Sequence, residues 1–415
     1  MRHVLGLKCV LCGAEYTPDA VEYVCPHHGD EGILDVVYDY AFLRAHWSRE
    51  DLARNPDLSV WRYRPLLPLR EDTPVPPLAV GWTPLYRAPR LEQDLGIREV
   101  WLKDDGRNPT ASLKDRASAV GLAKAWELGH RRMVAASTGN AASSLAGLAA
   151  SMGVETVIFV PETAPRAKLA QLLIFGATLV AVQGTYDQAF DLSLEATRLY
   201  GWYSRNTAYN PYLSEGKKTA ALEICEQLRW QAPDRLFVSV GDGCILGGLW
   251  KGLRDLLALG FIERMPRLVG VQAEGSAALA RAWARGTEEV EPVEPHTLAD
   301  SISVGLPRDR VKALRAVRET GGEFVTVSDE AILEAMRVLG RECGIFAEPA
   351  GAASLAGLLK MARAGRISSD ERVAVLITGN GLKDVESALR AVGEPYRIEP
   401  TVEALKDLVR RAGLA

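Results

Sequence analysis

No run of about 18 uninterrupted apolar residues, the least a membrane-spanning helix requires, occurs in this sequence. Its opening residues, MRHVLGLKCV, lack the apolar core of a secretion signal. A membrane protein and a secreted one are both disfavoured. There is no basic surplus either: Lys and Arg total 49 against 53 Asp and Glu, a formal net charge of −4. Nucleic acid and anionic membrane are therefore not expected as main partners. Six cysteines in 415 residues are too few for a disulfide framework, and a reducing cytoplasm is the expected location. Internal repeats and low-complexity tracts are absent. What remains is an ordinary composition, 47% hydrophobic and 25% charged, in a chain long enough for two or three domains.

The chain changes character along its length. Residues 1–40 carry Cys, His, Gly and Tyr with short alternating runs such as Ile33-Leu34-Asp35-Val36-Val37-Tyr38, which predicts a small β-rich module. Residues 41–90, rich in Trp, Arg and Pro, suit an irregular arm wrapping a larger body. From about residue 91 to 400, short apolar runs alternate with stretches of helical length. Strands are expected at 100–102, 133–136, 157–160, 178–182, 236–240, 268–271 and 373–377. Helices are expected at 114–129, 140–152, 165–175, 185–199, 215–230, 246–259 and 350–363. This alternation predicts an α/β body of two subdomains built on largely parallel sheets, the smaller inserted at about 120–210. A polar tail helix closes the chain within 401–415.

Four stretches carry chemistry. Asn108-Pro109-Thr110-Ala111-Ser112-Leu113-Lys114-Asp115-Arg116 sets a lysine at a loop-to-helix junction, where the helix dipole disfavours a cation. In a partly desolvated pocket Lys114 becomes an amine nucleophile; a solvated surface lysine fits the same stretch. Ser137-Thr138-Gly139-Asn140 lies between a strand and a helix, where Asn140 offers a donor and an acceptor; a plain Ser/Thr helix cap is the alternative. Gly241-Asp242-Gly243-Cys244-Ile245 again joins strand to helix, and its exposed backbone N–H groups suit a phosphate, though glycine turns also serve tight packing. Thr378 follows the last strong strand, in Thr378-Gly379-Asn380-Gly381-Leu382-Lys383-Asp384, and presents a hydroxyl at the carboxyl end of the sheet.

Together these motifs resemble the threonine synthase family of fold-type II pyridoxal-phosphate enzymes. Further matches are Glu215-Gly216-Lys217-Lys218-Thr219, Val271-Gln272-Ala273-Glu274-Gly275 and Glu348-Pro349-Ala350-Gly351-Ala352-Ala353. The resemblance implies a tryptophan-synthase-β-like fold of two open, mostly parallel sheets. It implies pyridoxal 5′-phosphate joined to Lys114, with Asn140 on the ring hydroxyl. Gly241, Asp242, Gly243, Cys244 and Ile245 would hold the phosphate, and Thr378 would face the ring nitrogen. Ser137 and Thr138 would meet a small amino-acid substrate, and the assembly would be a homodimer. The implied reaction turns O-phospho-L-homoserine and water into L-threonine and phosphate.

The family pattern breaks where the substrate phosphate is held: Ala141, Ala208 and Leu213 stand where Thr, Ser and Arg are usual. Leucine offers phosphate nothing in place of an arginine fork. Arg205, Lys217 and Lys218 are the nearby cations able to substitute. The same departures leave a second reaction open, β-elimination or β-replacement on another amino acid, of the threonine or serine ammonia-lyase type. In the N-terminal module, Cys9-x2-Cys12, twelve residues, then Cys25-x2-His28 matches a zinc ribbon with a structural Zn2+. His27 is a competing ligand, the two-residue spacer favours His28, and a ribbon that folds without metal is the alternative.

Overall fold

The apolar runs read from the sequence become the strands of two open sheets in the computed structural model, which describes residues 3–164 and 166–414. Pro165, the expected start of one helix, lies outside them; that helix is described over Arg166–Ile174. The larger sheet has six strands in the order Glu323–Val327, Arg267–Ala273, Arg235–Ser239, Arg372–Ile377, Glu99–Asp104 and Leu85–Arg87. All neighbours are parallel except the last pair. The smaller sheet orders Thr178–Val182, Glu155–Pro161, Arg132–Ala136 and Tyr203–Ser204, all parallel.

The central strands are apolar at nearly every position because helices cover both faces. Val373, Val375 and Ile377 join one buried cluster, while the alternating Ala374 and Leu376 join another on the opposite face. A strand of period two thereby serves two cores at once.

The first residues form a separate three-stranded antiparallel sheet, Val4–Cys9 flanked by Glu15–Tyr16 and Leu34–Tyr38. The stretch after it, expected to be irregular, contains short helices at Tyr40–His46 and Arg49–Arg54 and a 3-10 segment, Val60–Leu66, that includes Pro65. Ser48 caps the second of these through a capping box with Asp51. The tail helix spans Val402–Ala412, and none of its residues is buried. Among the described residues, no helix is long and apolar enough to cross a membrane.

Candidate active site

The carboxyl ends of parallel strands are where an open α/β sheet exposes backbone to a ligand. Four loops meet there. Glu99–Asp104 leads through residues 105–113 into the helix Lys114–Glu127. Arg132–Ala136 leads to Asn140–Met152, and Arg235–Ser239 to Cys244–Leu259. Thr378 directly follows Arg372–Ile377.

The motif around Lys114 is explained by its own hydrogen bonds. Asp115 turns back to accept from the Thr110 backbone N–H at 2.6 Å and from the Thr110 hydroxyl. Asn108 accepts from the Gly81 N–H at 2.9 Å and donates to the Asp105 carbonyl at 3.0 Å. Arg116, fully buried, donates to Asp105 at 2.6 and 2.8 Å and to Glu223 at 2.5 and 2.7 Å, while Lys103 donates to Glu223 at 2.7 Å. The Leu113 N–H donates to the Thr378 carbonyl at 2.9 Å, which ties the lysine loop to the final strand. Lys114 is thus held by its neighbours, and its own amine is left free. Among the described residues, its Nζ has no hydrogen-bond or ion-pair partner.

Lys114, Asn140 and Thr378 line one cleft. Gly241, Asp242, Gly243, Cys244 and Ile245 line the same cleft. Gly243 sits at φ 89° as the N-cap of the Cys244–Leu259 helix, a left-handed conformation that glycine adopts without strain. A Cβ there would lie 2.8 Å from the Ala313 Cβ, so the loop is packed to backbone closeness. The result is a row of N–H groups at the positive end of a 16-residue helix, an anion cradle.

Burial lowers the pKa of the Lys114 ammonium below its ordinary value, and the nearby Arg205 charge lowers it further. Asn140 donates through Nδ2 to Glu348 at 2.8 Å. Burial pushes the Glu348 carboxyl up to about 7, against the opposing pull of that hydrogen bond. The Thr378 side chain is buried and its hydroxyl has no partner among the described residues.

Ser137 and Thr138 do not line the cleft; the Ser137 hydroxyl instead accepts from the Gly139 N–H at 3.1 Å. Thr207, Ser239, Ser301 and Glu348 do line it, without having been singled out in the sequence. Glu348 opens a helix with proline next to it, and that signal was legible in Glu348-Pro349-Ala350-Gly351. Thr207 carried no such mark. Leu213 faces away, packed where a Cβ on Gly121 would lie 2.8 Å from its Cδ2. Ala141, Ala208 and Leu213 are all absent from the cleft wall.

In the N-terminal module, the ligand atoms of Cys9, Cys12, Cys25 and His28 lie within 4.8 Å of one another. Cys12 Sγ is 3.9 Å from Cys25 Sγ, and His28 Nδ1 is 3.9 and 3.7 Å from the sulfurs of Cys9 and Cys25. A tetrahedron with metal–sulfur bonds of about 2.3 Å has edges of about 3.8 Å, so this set is spaced for one metal ion.

Residues 77–379 match a family described as pyridoxal-phosphate dependent enzymes. The chain is 39% identical to the threonine synthase of Methanocaldococcus jannaschii over 405 residues, covering 97% of this chain and 99% of that one. It is 38% identical to the threonine synthase of Methanosarcina acetivorans, with 97% and 98% covered. Among solved structures it is similar to a threonine deaminase from T.th., with a TM-score of 0.62, 27% identity and 72% and 92% of the two chains covered. The fold is also shared with diaminopropionate ammonia lyase from Escherichia coli, TM-score 0.65 at 19% identity, covering 82% and 93%.

Proposed function

The chain belongs to the pyridoxal-phosphate dependent enzymes and, within them, to the threonine synthases; from that premise we propose that this cleft converts O-phospho-L-homoserine and water into L-threonine and phosphate, with Lys114 as its central base. The observation that carries the proposal is the free, charge-disfavoured amine of Lys114 sharing one cleft with a glycine cradle.

The residues present suit the cofactor. The Gly241–Ile245 backbone would take its phosphate, Asn140 its ring hydroxyl, Thr378 its ring nitrogen and Lys114 its aldehyde carbon. When bound, the cofactor supplies an electron sink that stabilises negative charge at the substrate Cα. A neutral threonine hydroxyl, unlike a carboxylate, does not enforce protonation of the ring nitrogen.

The protein does the rest. With its ammonium destabilised by burial, Lys114 Nζ accepts the Cα proton and then a Cβ proton, the latter's bonding pair expelling phosphate from Cγ, and returns protons to Cγ and Cα as water adds its hydroxyl at Cβ. Asn140 is oriented by Glu348, whose carboxyl, pushed up to about 7 by burial, is about half protonated at neutral pH. The main chain linking Leu113 to Thr378 holds the base and the hydroxyl on one frame, so the proton transfers occur at fixed geometry.

The test is a substrate panel on one holoenzyme preparation. Inorganic phosphate and threonine from O-phospho-L-homoserine are expected; keto acid and ammonia from threonine or serine, with no phosphate release, would overturn the assignment. The similarity to threonine deaminase is what makes that second reaction the one to measure.

Two further features complete the proposal. Cys9, Cys12, Cys25 and His28 hold a structural zinc ion, supported by their tetrahedral spacing. The enzyme works in the cytoplasm, in keeping with six cysteines none of which forms a disulfide, and as a homodimer, which light scattering in solution tests.

A further inference from the structure

Arg205 and Lys217 are each about 1% exposed, yet among the described residues neither forms an ion pair. This sets them apart from the other buried cations nearby. Lys218 lies 2.6 Å from both Glu215 and Asp255. Lys312 is 2.6 Å from Asp35, and Arg116 is clamped by Asp105 and Glu223. Arg205 donates through Nε to the Ser118 hydroxyl at 3.2 Å, but its Nη2 is buried with no partner among the described residues. Lys217 donates to the Thr207 hydroxyl at 2.9 Å, and Thr207 is part of the cleft wall.

A buried charge without a counter-ion is costly, and a fold keeps two of them side by side only where something compensates. Here the two cations also repel each other and Lys114. Burial first, then the charges of Lys114 and Arg205, bring Lys217 down to about 8. Burial likewise lowers Arg205, to about 10. What is missing is an anion. The cofactor's own phosphate would already have the Gly241–Ile245 backbone and a helix terminus, and both cations stand near Cys244 at the edge of that cradle. The three departures from the family pattern, Ala141, Ala208 and Leu213, contribute no side chain to the cleft that would bind a second phosphate; Arg205 and Lys217 lie just behind its wall, Lys217 meeting it through the Thr207 hydroxyl.

Resting on the threonine synthase reading above, we infer that Arg205 and Lys217, reached past Thr207, form the subsite for the phosphate of the substrate in this chain. Charge-assisted hydrogen bonds to that dianion supply the counter-charge both groups lack. Leu213 packs against Gly121, while Lys217 stands one helical turn along the same Tyr212–Gln227 helix and Arg205 directly follows the strand Tyr203–Ser204.

The experiment uses holoenzyme of the wild type, Arg205→Met and Lys217→Met, with O-phospho-L-homoserine as substrate and inorganic phosphate as probe. Each variant should raise KM at least tenfold and keep one cofactor per chain. Inorganic phosphate should compete with substrate and raise the melting temperature of the wild type, since a ligand bound only by the folded state stabilises it. That thermal shift should vanish in Lys217→Met and persist in Lys217→Arg. A KM within twofold of wild type, or a phosphate shift unchanged in Lys217→Met, would overturn the subsite. Loss of cofactor with KM unchanged would also overturn it, placing the cations on the cofactor's phosphate instead. If a Met variant fails to fold, wild-type competition by phosphate and Lys217→Arg decide the matter, and absence of competition counts against the subsite. Should the wild type release no phosphate from the substrate yet show the Lys217-dependent shift, the reaction assignment falls while the anion site stands.

Discussion

Lys114 and Glu348 face the same cleft and respond to burial in opposite directions, because a low-dielectric site disfavours whichever form is charged. The amine is pushed toward its neutral, basic state and the carboxyl toward its neutral, donating state. Glu348 makes this visible in stability. Between its ordinary 4.5 and about 7 the folded protein keeps a proton that the unfolded chain has released, so stability falls as pH rises through that window. In the cofactor-free protein Glu348→Gln should remove this slope and gain on the order of 3 kcal/mol above neutral pH; urea titrations at several pH values check it, and an unchanged slope would contradict it. At this scale the sequence was informative where the chemistry was unusual. A lysine beginning a helix and glycines beginning another stand out from the text. Thr207 and Ser301 do not, because a hydroxyl in a loop reads the same whether it lines a cleft or caps a turn.

The helix Lys114–Glu127 is positioned by an ion network that no periodicity reveals. Arg116, Lys103, Asp105 and Glu223 are all fully buried, and they join the stretch 103–116 to Glu223, more than a hundred positions along the chain. Removing one partner strands the others without counter-charge, so Arg116→Met should cost about 3–5 kcal/mol in denaturant unfolding. Leu213→Arg forces a charge against Gly121 and should destabilise by more than about 2 kcal/mol without lowering KM for a phosphorylated substrate; a stable variant with improved KM would refute the packing role of Leu213. The long apolar strands were legible because they are covered on both faces. Leu85–Arg87 and Tyr203–Ser204, three and two residues long, were not, since so short an edge strand has too few positions to establish a period. Glu323–Val327, an edge strand, is apolar at only three of five positions without a clean period of two, and its Glu and Thr diluted the apolar signal.

Across the whole molecule, the N-terminal module is fastened to the catalytic body by buried polar contacts. Tyr38 donates to Glu215 at 2.6 Å, Lys251 to the Val36 carbonyl at 2.8 Å and Arg315 to the Val10 carbonyl at 2.7 Å. Glu215 and Lys217 share one helix, so the N-terminal module is linked through that helix to Thr207 on the cleft wall. One zinc per chain is expected by metal analysis, and a chelator under reducing conditions should lower the melting temperature; a metal-free chain of equal stability would contradict the structural role. The sequence made the two halves and the ribbon separately readable. Their docking was not, because it depends on single side chains far apart in the chain, 177 positions in the case of Tyr38 and Glu215. Everything in the catalytic account converges on one amine. Borohydride reduction of the holoenzyme followed by peptide mass mapping should find the cofactor fixed covalently to Lys114, with no such adduct in Lys114→Ala. An adduct on a different lysine, or none on a catalytically active enzyme, would contradict the account.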